Sequence, residues 1–272
     1  MKEEEAYSIL DIISESDGQS VILTRSGSIC IPFELRQPEC YSLSPEEIDE
    51  RDGMYREAFR HMPDGTYVHK QDVFLKKEYH PGKGTGSFLD RADARHFEGR
   101  LYIDHTCILH FVLAGLKSLE KAYVSSPLAY KEHLHREDYR KLEAFLEGVD
   151  NAVSILQNMR GNSVLPMSCE EISGFTRAYS GLFGDTDAVV DIHVDGSLHV
   201  GKNHARCYAV CDETFLPEGN IESYVRDESL PPAASQLYHP LMEQLGMYLP
   251  YNHIVNQVIY FEGNERLRSR IA

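Results

Sequence analysis

The chain has 272 residues, 42% of them hydrophobic, and carries 27 basic against 43 acidic residues, a formal charge of −16. That balance repels phosphate backbones unless basic residues cluster, so direct nucleic-acid binding is not expected, and proteins or cations are the expected partners. The six cysteines, at 30, 40, 107, 169, 207 and 211, are too sparse for a disulfide scaffold. The acidic start "MKEEEAYSIL" is unlike a secretory signal, and no apolar run approaches a membrane span. These features predict a cytoplasmic chain with reduced thiols.

Two β-rich runs in "SVILTRSGSICIPFEL" flank Ser26-Gly27 and predict a hairpin. Ser44, Pro45 and Glu47 form a helix start, with Ile48, Tyr55, Phe59 and Met62 on one helical face. Residues 65–75, "GTYVHKQDVFL", read as a strand with a polar centre at His69–Asp72. A short helix is expected over 87–97, capped by Ser87 with Asp90 three residues on. "LYIDHTCILHFVL" at 101–113 is the clearest strand, with Leu101, Ile103, Cys107, Leu109, Phe111 and Leu113 on the face that His105 shares.

Residues 137–158 predict an amphipathic helix with the stripe Tyr139, Leu142, Phe145, Leu146, Val149, Val153 and Leu156. Ser168 and Glu171 open another helix, and Asp195-Gly196 marks a two-residue hairpin turn. "ARCYAVCD" is expected as a third strand beside that hairpin, then a helix near 233–246 and a β-rich run, "NHIVNQVIYF". The irregular alternation predicts an α+β fold, mainly antiparallel sheets with helices packed on one side. Two lobes are expected: 1–115, then a mobile connection at 116–136, then 137–272.

Three constellations could carry chemistry. The loop "HPGKGTG" at 80–86 sits between a strand and a helix, as a phosphate cradle would. A cradle needs G-x-x-x-x-G-K-[ST]. Here Lys77 stands where the first glycine belongs, Gly84 takes the hydroxyl position, and Pro81 removes a backbone donor. The loop therefore reads as a solvated spacer rather than an ATP site. His193, His199, His204, Cys207 and Cys211 could bind zinc, but cysteines four apart on a strand lie about 13 Å from each other. The two thiols read as buried small hydrophobes instead.

His69, Asp72, Asp104 and His105 form the third set. If their strands pair, they could act as metal ligands or an acid–base pair, the basis of an alternative reading as a stand-alone metal-dependent hydrolase. Neighbours on a strand point to opposite faces, so at most one His and one carboxylate can meet per face. A buried hydrogen-bonded network is the competing expectation. No G-x-S-x-G or H-E-x-x-H motif is present.

"YVHKQDVFLKKEY" together with "SFLDRADARHFEGRLYIDHTCILHFVL" resembles the N-terminal domain of the TraG-like ATPases of Bacteroides-type conjugative transposons, the motors of type IV secretion machines. The family-like core spans 11–113, and the likeness is loose over 137–261. It marks His69, Lys70, Gln71, Asp72, Arg95, His96, Phe97, His105 and Cys107 as interaction or structural positions. Asp104 departs from the amide usual in the family. The resemblance implies a non-catalytic docking and assembly piece, with ATP and Mg²⁺ served only by a RecA-like domain downstream. No catalytic, cofactor or metal residue is then expected in this chain. It further implies other channel subunits as partners, self-association, and a place at the inner face of the inner membrane, held there through partners.

Overall fold

The computed structural model describes residues 9–14, 19–38, 45–81, 87–116, 136–184, 192–209, 224–226, 236–238, 249 and 251–262. One large antiparallel sheet organises them. Its strands are β1 (Ile9–Ser14), β2 (Ser20–Thr24), β3 (Ile29–Arg36), β4 (Thr66–Glu78), β5 (Leu101–Leu113), β6 (Ser163–Pro166) and β12 (His253–Tyr260). The order is β1-β2-β3-β5-β4-β12, and β6 adds to β3. Three-residue strands build the rest: β7 (Ile192–Val194), β8 (Leu198–Val200) and β9 (Asn203–Ala205) form one sheet, and β10 (Tyr224–Arg226) pairs with β11 (Gln236–Tyr238).

The predicted first hairpin turns at Ser26-Gly27, where Gly27 has φ 76°, the left-handed region glycine enters without steric cost. β4 and β5 pair along their full length, from Thr66 opposite Leu113 to Glu78 opposite Leu101. β3 lies beside β5 and reads as a near-continuous apolar run because both its faces are covered. Pro32 sits within it. Its carbonyl accepts from Met167 N–H, so its donorless nitrogen faces that same edge. There the partner changes from β2, paired at Ile29 and Cys30, to β6, paired from Phe33 to Arg36.

Helices α1 (Pro45–Phe59) and α3 (Arg136–Asn158) cover one face of the sheet. Ile31, Phe33, Leu35, Val68, Leu109 and Phe111 meet Phe59, Phe145, Val149 and Leu156 there. Phe145, Val149 and Leu156 are the buried part of the predicted α3 stripe, joined by Ala152, whereas Tyr139 and Leu146 at its edge stay exposed. Gly148 lets α3 approach closely, since a Cβ would stand 3.2 Å from Pro63 Cδ.

The helices, expected on one side, divide between the two faces. α4 (Cys169–Ser180) covers the opposite face, where Ile172 and Phe175 pack with Ile22, Cys30, Ile108 and Val112. The reason lies in β3 and β5, whose odd and even residues are both apolar and so need cover on each side. The expected α+β class with antiparallel sheets describes the molecule. Of the expected connection at 116–136, residues 117–135 lie outside the described residues. Elements after it (α3, β6, α4 and β12) build onto the sheet formed by the elements before it.

Both described capping boxes form as predicted: Ser87 with Asp90 opens α2 (Phe88–Phe97), and Ser168 with Glu171 opens α4. Ser44 lies outside the described residues. Within the span expected as a helix near 233–246, Gln236–Tyr238 is instead a strand, β11, held by pairing with β10. The third strand beside the Asp195-Gly196 hairpin ends at Ala205, before most of "ARCYAVCD".

Candidate functional site

The α1–α3 cover ends before the tip of the β4–β5 hairpin, and polar side chains occupy the face beyond it. Lys70 and Asp72 on β4 point to this face with His105 and Cys107 on β5, because Asp72 pairs with Cys107 and Phe74 with His105. His105 Nε2 donates to Asp72 Oδ1 at 2.9 Å, and the Lys70 ammonium takes the other carboxylate oxygen. The Asp72 side chain is only 8% exposed, against 40% for His105. Burial pushes the Asp72 carboxyl up, but the His105 hydrogen bond and the Lys70 charge outweigh it, and the net displacement is below the ordinary value.

Cys107 lies under this group. Burial pushes its thiol up to about 12, with Asp72 adding to the rise. A thiol so displaced stays protonated and is no nucleophile. Asp72 and His105 thus form a buried carboxylate with an oriented imidazole, open to solvent on the His105 side. Asp72→Asn is expected to cost about 1–3 kcal/mol, because it removes the charge that satisfies Lys70. Urea denaturation at neutral pH checks it.

His105 also stacks on Phe74, at 4.5 Å and 14°, and Phe74 stacks in turn on His253 of β12, at 4.7 Å and 11°. Three rings therefore cross three strands. His253 Nδ1 donates to the Tyr251 carbonyl at 2.8 Å, while its buried Nε2 has no partner among the described residues.

The other half of the HKQD run faces away. His69 Nε2 donates to Asn256 Oδ1 at 2.8 Å, and Gln71 Nε2 donates to the same oxygen at 2.9 Å. The His69 ring stacks on His110, whose Nδ1 lies 3.7 Å from Cys30 Sγ. Burial holds the His110 imidazole down at about 4, with the neighbouring His69 adding to the effect. Asp104 pairs with Lys77 at 2.5 Å. Of the four donors His69, Asp72, Asp104 and His105, only Asp72 and His105 meet, one histidine and one carboxylate on one face.

Arg95, His96 and Phe97 end α2, of which no residue is buried. Phe97 contacts Tyr79 edge-on at 6.4 Å and lies under the Arg100 guanidinium at 5.3 Å. These three residues therefore sit at the hairpin tip, apart from the HKQD network. Residues 82–86 of the glycine loop lie outside the described ones.

The histidines of the smaller sheet do converge. His193 pairs with His199, and His199 with His204. Cys207 is exposed and follows β9 outside any strand, which corrects its reading as a buried strand residue. The chain leaves the ladder at Ala205, so the alternation assumed for Cys207 does not operate. Cys211 lies outside the described residues.

Sequence reasoning passed over Phe74, His110, His253 and Asn256. The last two were legible only as part of a β-rich run, and their placement depends on the register with β4, whose His69 and Gln71 stand 187 and 185 positions from Asn256. Neither protein-family models nor curated proteins give a match to this chain.

Proposed function

We propose that this chain is a non-catalytic N-terminal docking and assembly domain of a conjugative, type IV secretion ATPase. The observation that carries the reading is α2, which displays apolar residues with no core beneath them. Phe88 is 77% and Leu89 70% exposed, on a helix inserted between the two strands that bear the family-like motifs. Exposed aromatic and aliphatic side chains of this kind suit a protein partner. The motif residues themselves support a scaffolding role. Lys70, Asp72 and His105 satisfy one another, His69 and Gln71 satisfy Asn256, and the Cys107 thiol is buried and unreactive.

The partners in this reading are other subunits of the transfer channel, with self-association as a second contact. ATP and Mg²⁺ belong to a downstream domain, and membrane proximity comes through partners. No helix among the described residues is long and apolar enough to cross a membrane. The double substitution Phe88→Ser with Leu89→Ser, made in the full-length gene, is expected to lower DNA transfer by at least about tenfold. It should leave thermal stability of the domain within about 0.5 kcal/mol of wild type, since no core contact is lost. Unchanged transfer would sink the reading, as would a reading frame that ends here with no ATPase gene beside it.

A further inference from the structure

We propose that the β7–β9 sheet carries a Zn²⁺ site built from His193, Asp195 and His199. The proposal stands independently of the docking reading. Cross-strand pairing places His193 directly opposite His199 on one face, and Asp195, the first residue of the turn after β7, is brought beside them. Donor atoms of the three residues all lie within 4.8 Å of one another. A tetrahedral zinc holds such ligands about 3.3–3.4 Å apart, so side-chain movement of about 1 Å closes the set. His193 and Asp195 are exposed and can move, and the ion has an open path to them.

Three further features point the same way. The two imidazoles stack at 4.6 Å and 3°, which holds the two rings side by side across the β7–β8 pair. Asp195 Oδ1 accepts from His199 Nε2 at 2.7 Å, so the carboxylate and that ring nitrogen already lie side by side, and Zn²⁺ would take the place of the proton between them. The sheet has strands of only three residues and, among them, Val200 alone is buried. Units with so little core are those that a metal staples. His204, whose ring lies 5.9 Å from that of His199, is the nearest further imidazole for a fourth position. Two imidazoles and a carboxylate are a donor set that zinc accepts.

The test is a titration of the purified, metal-stripped protein with Zn²⁺ against a chromophoric chelator, with hydrogen exchange followed by mass spectrometry. Wild type is expected to take up one equivalent and to show slowed exchange over 192–205. His193→Ala and His199→Ala should each weaken binding by more than the roughly 10–100-fold that losing an outer-sphere partner costs. Should an alanine variant melt below wild type without metal, Asp195→Asn, which keeps the side-chain shape, decides by the same loss. Cys207→Ser should bind as wild type. No saturable binding at roughly 100 µM free Zn²⁺ overturns the site. So does binding that survives His199→Ala, or binding that Cys207→Ser abolishes.

Discussion

Phe111→Ala is expected to lower the unfolding free energy by about 3–5 kcal/mol, the largest effect of any single substitution considered. Phe111 is fully buried at the centre of β5, opposite Ile31 on β3 and Val68 on β4. Its ring meets Phe33 edge-on at 5.8 Å and Phe59 at 6.3 Å, so it joins the sheet to α1. Removing the ring leaves a cavity walled by two β-strands and a helix, none of which can collapse into it without breaking a ladder. Phe111→Leu refills part of that space and should cost markedly less. Denaturant midpoints at constant m-value measure both. A cost below about 1 kcal/mol for the alanine variant would mean that α1 and α3 do not close over this face.

Acidification is expected to destabilise the protein by roughly 2–3 kcal/mol between pH 6.5 and 4, through His110. The folded imidazole is held at about 4 against an ordinary 6.5. Between those values the unfolded chain binds a proton that the folded chain refuses. Stability is therefore full above pH 6.5, falls as pH drops, and stops falling from this source below about 4. The cause is enclosure: Cys30 sits against Nδ1 with its thiol pushed up to about 12, and His69 stacks on the ring, so neither offers a compensating negative charge. Asp72 acts in a lower window. Its folded value lies below the ordinary 3.8, so its contribution is present above that value and is lost on further acidification. Unfolding free energies measured across this range should show the slope, and His110→Gln should flatten it between pH 4 and 6.5. A slope unchanged in His110→Gln would place the effect elsewhere.

Much of the local structure was legible in the residues. The apolar face of 101–113 defines β5 to the residue, and the predicted stripe, through Phe145, Val149 and Leu156, marks the buried face of α3. Ser87 with Asp90 and Ser168 with Glu171 mark helix starts because each pair satisfies backbone donors within four residues of chain. Strand alternation alone also splits the HKQD run, so that His69 and Asp72 diverge and one histidine and one carboxylate can meet.

The partners of those residues were decided by tertiary structure. Nothing local tells β12 to lie against β4, yet that pairing sets Asn256 beside His69 and Gln71 and stacks His253 on Phe74. β6 takes the edge of β3 beyond Pro32, and α4 crosses to the opposite face, for reasons of uncovered surface rather than propensity. Gln236–Tyr238 becomes a strand through pairing with Tyr224–Arg226, which overrides a helical pattern. The sequence by itself determined most of the longer strands and helices and which of their residues share a face, since periodicity is a local property. Only the tertiary structure decided which faces meet, because register between distant strands is set by burial on both sides of the sheet at once.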